Sequence, residues 1–129
     1  MKKLALTALL VAVAAPAVAD EKVFNKCKAC HSVIAADGTE VVKGGKTGPN
    51  LFGMIGRPVA SVADYAYGDS IKAVGAAGKV WDEASLVTYL ADPAAWLAAN
   101  GAGDGAKSKM TFKLAKGGEE IAAWLATQK

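Results

Sequence analysis

Both cysteines of this 129-residue chain and its only histidine stand in one pentapeptide, Cys27-Lys28-Ala29-Cys30-His31. Thiols and imidazoles are the side chains that most readily form covalent bonds or bind transition metals. Because no cysteine or histidine remains for a second site, chemistry of this kind must be built around residues 27–31. Any further residue that takes part in this chemistry must be brought to this segment by the fold.

Three interpretations of the C-x-x-C-H pattern compete. A disulfide between Cys27 and Cys30 would close a very short loop, which stabilises a fold little, and would leave His31 unexplained. A thiol–disulfide redox pair normally follows a strand in a βαβ unit, and no strand is predicted before Cys27. Covalent haem attachment uses all three residues, since two thiols on one helical turn can add to the two vinyl groups of a haem. The pattern favours this third interpretation, with the other two kept as alternatives.

The same spacing assigns a role to each residue of the motif. His31 lies four positions after Cys27, on the same side of a helix, so its imidazole can reach the iron of the attached haem. We therefore expect one haem c per chain, with thioether bonds to Cys27 and Cys30 and with His31 as an axial ligand.

The first 19 residues have the pattern of a secretory signal peptide. Lys2 and Lys3 precede an apolar run over residues 4–18, and Ala17-Val18-Ala19 supplies small residues for cleavage. The run is short for a membrane-spanning helix, which needs about 20 apolar residues. We expect export to a bacterial periplasm and a single domain over residues 20–129, the alternative being a retained segment that tethers the protein to a membrane.

Helical spacing of apolar residues predicts an all-α domain of about five helices. Asp82 is a predicted N-cap, and Pro93 has the first helical position that proline favours. No segment shows sustained alternation of apolar and polar residues, so no sheet is expected. The predicted helices span residues 21–31, 69–74, 83–91, 93–96 and 118–128.

A long glycine-rich connection, residues 32–67, is unusual for so small a domain. Its main-chain polar groups need partners and its apolar side chains need a surface to cover. A large, flat, apolar cofactor provides such a surface, so this loop and the C-x-x-C-H motif both indicate a haem.

Charge is distributed unevenly along the chain. Basic residues exceed acidic ones in residues 20–57 and 105–129, whereas acidic residues dominate residues 58–104. No run of like charges is long enough to suggest a nucleic-acid partner.

A second axial ligand decides between electron transfer and chemistry at an open iron. With no other histidine, Met54 and Met110 are the candidate sulfur ligands beyond residue 19. Met54 stands in an apolar cluster where methionine usually fills a core, whereas Met110 stands in a polar segment with no apolar helical face to join. Position favours Met110, and an open iron, as in a gas sensor or haem enzyme, or lysine ligation stays an alternative.

Six short segments of the chain, named below, occur in the same order as in the class I c-type cytochromes. The chain resembles in particular the periplasmic cytochromes c2 and c-550. The resemblance covers residues 20–129 and implies a small cytochrome c fold, with about five helices and long loops wrapped around a covalently bound haem. It is carried by Cys27-Lys28-Ala29-Cys30-His31, Lys46-Thr47-Gly48-Pro49-Asn50-Leu51, Gly56-Arg57, Trp81, Lys109-Met110-Thr111-Phe112 and Leu114-Ala115-Lys116-Gly117-Gly118-Glu119.

Carried over to this sequence, the resemblance implies His31 and Met110 as the axial ligands and the Pro49 carbonyl as acceptor for the His31 N–H. It implies that Tyr89 directs its hydroxyl toward the Met110 sulfur. It also implies that Arg57, Tyr67 and Trp81 hydrogen-bond or neutralise a haem propionate and that the Ser108 hydroxyl can reach one. The alternatives are core packing for Trp81 and Tyr89 and a solvated surface charge for Arg57.

The function that the resemblance implies is one-electron transport by a soluble, monomeric periplasmic protein that is not an enzyme. The donor would be a cytochrome bc-type complex, and the acceptor either a photosynthetic reaction centre or a terminal oxidase. The uneven charge further predicts a lysine-rich face around the haem edge that binds these membrane complexes, with the acidic middle of the chain on the far side. The alternative is that these lysines are merely solvated. The lysines expected on this face are Lys26, Lys28, Lys43, Lys46, Lys107, Lys109, Lys113 and Lys116.

Overall fold

The structure, a computed structural model, describes residues 20–129, so the predicted signal peptide lies outside the described residues. The described chain is mostly helical, and within it no helix has the length and hydropathy needed to cross a bilayer. Its elements are a 3₁₀ helix over Glu21–Lys26, β1 over Val33–Ile34, β2 over Glu40–Val42, α1 over Asp69–Ala76, α2 over Glu83–Ala91, α3 over Pro93–Leu97, a π-helical turn over Ala98–Ala102, and α4 over Gly118–Ala126. The predicted all-α class with five helices is confirmed.

The predicted caps begin the two central helices. The Asp82 carboxylate accepts a hydrogen bond from the Ser85 N–H at 2.6 Å, at the start of α2. The Asp92 carboxylate accepts from the Ala95 N–H at 3.1 Å, and Pro93 opens α3. Each cap satisfies a main-chain donor that the helix itself leaves free.

The first helix differs from its prediction. Residues 21–26 form a 3₁₀ helix rather than part of an α-helix over 21–31, and the Cys27 N–H bonds the Phe24 carbonyl at 2.8 Å. Bonds of this i→i+3 type tighten short helices and their ends. A separate turn follows, in which the His31 N–H bonds the Cys27 carbonyl at 2.9 Å. The attachment motif is therefore one helical turn.

A small sheet is present where none was expected. β1 and β2 pair antiparallel, with Val33 opposite Val42 and an irregular register at Ile34. Gly38, with φ of 87°, forms the turn between them. Strands of two and three residues are too short to show the alternation on which the prediction depended, and the prediction of no sheet is wrong for residues 33–42.

The helical core lies where α4 crosses the 3₁₀ helix and packs on α2. Phe24 is fully buried, and its ring centroid lies 5.2 Å from that of Trp124 on α4. A side chain built on Gly118 would contact Val87 and Leu90, at 3.5 Å and 3.7 Å. The start of α4 therefore packs on α2 with room for a methyl group at Gly118.

A ladder of main-chain hydrogen bonds ties the long loop to the segment before α2. The Gly56 N–H bonds the Trp81 carbonyl at 2.7 Å, and the Trp81 N–H bonds the Arg57 carbonyl at 2.9 Å. The Val59 N–H bonds the Lys79 carbonyl at 2.9 Å. Arg57 and Trp81, both predicted to lie near the cofactor, are thereby held side by side.

Replacement of Phe24 by alanine tests this core. Removing a buried aromatic ring typically costs about 3–5 kcal/mol, so Phe24→Ala should lower the urea midpoint of the haem-loaded protein strongly, as followed by far-ultraviolet circular dichroism.

Phe112→Ala is the matched control, because its side chain is 41% exposed. The packing described for Phe24 would be wrong if both variants unfolded at the same urea concentration.

Candidate haem site

The attachment turn presents two unpaired thiols. Cys27 is half-buried and Cys30 is exposed, and no disulfide joins them. Burial raises the pKa of the Cys27 thiol, with a further increase from Cys30, while Lys26 acts in the opposite direction. Both thiols project from the same helical turn, so both can form bonds with one bound molecule.

The His31 ring is fixed by the long loop. Its Nδ1 lies 2.8 Å from the Pro49 carbonyl oxygen, so Nδ1 donates when it carries the hydrogen. Burial lowers the pKa of His31, and the bond to Pro49 opposes this shift. A neutral imidazole whose Nδ1–H is bonded to a carbonyl has Nε2 available for a metal.

Glycines allow the loop to lie directly against the attachment turn. A Cβ on Gly48 would overlap the His31 imidazole, and Cβ atoms on Gly44 and Gly45 would overlap the main chain at His31 and Ala29. Two hydrogen bonds fasten this contact, from Gly45 N–H to the Lys28 carbonyl at 2.9 Å and from Gly48 N–H to the Cys30 carbonyl at 2.7 Å.

Asn50 organises the next part of the loop, a role that the sequence did not reveal. Its side chain accepts from the Ile34 N–H at 2.9 Å and donates to the Ile34 carbonyl at 2.8 Å. It also accepts from the Phe52 N–H at 3.1 Å. The amide therefore pairs β1 with the loop that carries Pro49, much as a main-chain group would.

Arg57 is half-buried against this loop. Its guanidinium donates to the carbonyls of Phe52 and Asn50, each at 3.2 Å, and burial lowers its pKa, with Tyr67 acting in the opposite direction. A guanidinium has five N–H donors, so the two main-chain bonds leave others for an anionic group of a cofactor.

Three aromatic side chains form a packed wall. Trp81 stacks on Trp96 with ring centroids 4.9 Å apart and an angle of 14°, and the Tyr89 ring meets Trp81 edge-on at 5.1 Å. All three are buried. Trp81 and Tyr89 were predicted site residues. Trp96 was predicted only as the end of a helix, although it belongs to the same cluster.

Tyr65 connects the two halves of the site and was also missed. Its hydroxyl donates to the Thr47 carbonyl at 2.9 Å, and its ring lies 4.8 Å from that of Tyr67. Burial raises the pKa of Tyr89, the Ser108 hydroxyl beside it opposes this, and Tyr65 and Tyr67 raise it further. The available signal was its place in the sequence, two residues before the predicted site residue Tyr67.

The two methionines differ as their sequence contexts suggest. Met54 is 4% exposed and belongs to the core, whereas Met110 is half-buried at its edge. Ser108, two residues before Met110, is the side chain that acts on Tyr89. The expected contact between the Tyr89 hydroxyl and the Met110 sulfur stays a prediction.

The eight lysines expected around the haem edge are all exposed. The acidic middle of the chain, however, is not wholly on the far side. Lys113 forms an ion pair with Asp92 at 2.7 Å, because the chain after Met110 returns along the end of α2. The expected charge separation is therefore wrong for Asp92.

The described residues thus connect the attachment turn and its glycine loop to the aromatic cluster, because Tyr65 bonds the loop at Thr47 and lies against Tyr67, and both tyrosines act on Tyr89. Two free thiols, an oriented imidazole and a half-buried arginine are the groups that a covalently attached porphyrin with acidic substituents requires. The residues present fit a haem, and they define a protein of the class that attaches haem through C-x-x-C-H.

Comparison with known proteins identifies the family. No family model matches the chain. Cytochrome c2 of Rhodobacter capsulatus is 53% identical over 133 residues, which cover 97% of each chain. Cytochrome c-550 of Paracoccus versutus is 50% identical over 129 residues, covering 93% of this chain and 84% of that one.

Solved structures agree with these relatives. The structure of Rhodobacter capsulatus cytochrome c2 matches with a TM-score of 0.81 at 55% identity, over 83% of this chain and 92% of that one. Ferric cytochrome c-550 from Paracoccus versutus matches with a TM-score of 0.80 at 53% identity, over 84% of this chain and 92% of that one.

The chain belongs to the cytochrome c2 and c-550 family of class I c-type cytochromes. Its cofactor is covalently bound haem c, and it is an electron carrier rather than an enzyme.

Gly48→Ala tests the contact between the loop and the imidazole. The new methyl group would overlap the His31 ring, and overpacking of this kind costs about 1–3 kcal/mol. We expect a lower urea midpoint for the haem-loaded variant and a shifted haem absorption spectrum.

Gly68→Ala is the control, because its Cβ would meet the nearest atom, Lys109 Cγ, at an ordinary 3.4 Å. Equal effects of the two substitutions would show that the site does not depend on the close approach at Gly48.

Proposed function

We propose that this protein is a soluble periplasmic one-electron carrier whose haem iron is bound by His31 and Met110. The observation that carries the proposal is the His31 imidazole, oriented by the Pro49 carbonyl at 2.8 Å beside two free thiols. The haem supplies the exchange of one electron at iron, and the remaining task of the chain is to hold that group in one geometry in both oxidation states.

Cys27 and Cys30 are proposed to bind the haem through thioethers. Because these bonds form on one helical turn, the porphyrin edge is fixed relative to His31, four residues after Cys27. Pro49 keeps the hydrogen on Nδ1, so Nε2 carries the lone pair for the iron. Covalent attachment also prevents loss of the cofactor after export.

Met110 is proposed as the second axial ligand. The exposure of the two methionines supports this choice, since Met54 is buried in the core, whereas Met110 lies at the edge of the core, two residues after the Ser108 that acts on Tyr89. Thioether sulfur stabilises ferrous iron, as does an apolar surrounding, so we expect a positive reduction potential. Ligands on both faces leave no coordination position for a substrate.

The haem propionates are proposed to lie near Arg57, Tyr67, Trp81 and Ser108. Arg57 and Trp81 are adjacent through their main-chain bond, and Tyr67 is close enough to raise the Arg57 pKa. Burying a carboxylate is costly unless hydrogen bonds and opposite charge compensate it. The half-buried guanidinium offers both.

Replacing the sulfur tests the ligand assignment. Met110→Leu keeps the approximate volume but removes the thioether, so the ferrous protein should bind carbon monoxide and the red absorbance band of sulfur-ligated ferric haem should disappear. Met54→Leu is the matched control and should change neither property.

A Met110→Leu protein that still excluded carbon monoxide and kept its potential would refute Met110 as the ligand. If the Met54→Leu variant bound carbon monoxide instead, Met54 would be the axial sulfur.

The proposed partners are membrane electron-transfer complexes, with a cytochrome bc-type donor and a reaction centre or terminal oxidase as acceptor. Exposure of the eight lysines around the proposed haem edge supports docking to acidic surfaces. Interfaces of this kind are small, and their association rates depend on electrostatic steering. The protein is proposed to act as a monomer, after removal of residues 1–19 in the periplasm.

Charge reversal at Lys28 tests the docking face. Lys28→Glu should lower the second-order rate of electron transfer from a purified bc-type complex by about 3- to 10-fold at low ionic strength, and added salt should diminish the difference.

Lys129→Glu makes the same charge change at the exposed end of the chain, outside the proposed face. Equal rates for the two variants, or rates that salt leaves unchanged, would argue for an apolar docking surface instead.

A further inference from the structure

The segment before Met110 is rich in glycine, so its main chain has many accessible conformations. Gly101, Gly103 and Gly105 have φ values of 124°, 76° and 77°, a region that other residues adopt only with strain. Glycines of this kind lose much conformational entropy when they are ordered. A loop that presents an iron ligand therefore needs contacts that select one of its many conformations.

Helix α1 provides such contacts at both ends of the loop. At one end, a Cβ on Gly101 would meet the Ala77 side chain at 3.3 Å, so the π-helical turn lies directly on the end of α1. At the other end, the Lys107 N–H donates to the Ser70 hydroxyl oxygen at 2.9 Å, in the first turn of α1. The loop thus returns along the helix from its last turn to its first.

Ser70 is well suited to fix this return. It is half-buried in a helix whose Val74 is fully buried, so the hydroxyl has a rigid base. The nearby bond from Lys109 Nζ to the Ala66 carbonyl, at 2.8 Å, comes from a long exposed side chain instead. Exposed groups of that length lose more entropy when they are held in one position.

We infer that Ser70 is a positioning residue for Met110. The Ser70 hydroxyl holds the loop so that the Met110 sulfur stays on the iron. This inference rests on the proposed ligation by Met110. Loss of the hydroxyl leaves the loop held at the Gly101 end and by Lys109, so the iron–sulfur bond opens more often while the rest of the fold stays intact.

The size of the effect follows from the bond that is lost. A typical hydrogen bond changes an equilibrium by a factor of about three to ten. The freed Lys107 N–H is at an exposed residue, so water replaces its partner and the change stays within that range. Alanine favours helix more than serine does, so Ser70→Ala does not weaken α1 itself.

The experiment titrates the ferric, haem-loaded protein with imidazole, which competes with Met110 for the iron. The readout is loss of the red absorbance band of sulfur-ligated haem. Ser70→Ala should bind imidazole about three- to tenfold more tightly than the unmodified protein. Ser70→Thr, which restores the hydroxyl, should return the affinity toward its original value.

Ser61→Ala is the matched control, because Ser61 is an exposed serine in a neighbouring loop. It should leave the imidazole affinity unchanged. In urea unfolding followed by circular dichroism, the midpoint of Ser70→Ala should fall by no more than the loss of one hydrogen bond produces, and the midpoint of Ser61→Ala should stay unchanged. A small decrease of this kind shows that the fold is intact while the loop is less well positioned.

Unchanged imidazole affinity in Ser70→Ala, with the sulfur band present, would overturn the role of Ser70 and leave the ligation intact. An equal effect of Ser61→Ala, or failure of Ser70→Thr to restore the affinity, would also overturn it. Absence of the sulfur band from the unmodified protein would refute the Met110 ligation, and with it this inference.

Discussion

The hydrogen bond between the His31 ring and the Pro49 carbonyl is the contact on which the rest of the structure depends. It joins one helical turn, bearing the two thiols, to a loop that has almost no regular structure. Main-chain bonds from Gly45, Gly48 and Leu51 to the carbonyls of Lys28, Cys30 and Ser32 extend the same junction. An imidazole held in this way has one orientation and one available nitrogen, which is what an iron ligand needs to keep through changes of oxidation state.

Long loops are consequently part of the site and not merely connections between helices. The helical core, where α4 meets α2 and the 3₁₀ helix, provides a stable base, and the loops attach to that base at a few points. The Gly53 N–H bonds the Gln128 carbonyl at 2.7 Å, so the loop that carries Pro49 and Arg57 is anchored just after α4. Arg57 and Tyr65 donate to main-chain carbonyls of the loops, and Asn50 donates to the Ile34 carbonyl of β1, so side chains organise these segments where secondary structure does not.

Sequence patterns predicted the fold class and the helices that have strong end signals, because Asp82 and Pro93 act within one turn of their own position. They failed for the 3₁₀ helix, since apolar spacing over six residues does not separate i→i+3 from i→i+4 bonding, and for strands β1 and β2, which are too short to alternate. Asn50 and Tyr65 were missed because their partners, Ile34 and Thr47, lie 16 and 18 positions away. The pair between Lys113 and Asp92 likewise depends on packing that no local pattern reveals.

Mass spectrometry of the exported protein tests the central claim most directly. The account predicts that each chain has gained the mass of one haem, that residues 27 and 30 carry it on the same peptide, and that neither thiol reacts with an alkylating reagent after denaturation. A chain without added tetrapyrrole, with both thiols open to alkylation, would contradict the account, because the loops around His31 would then have no cofactor to enclose.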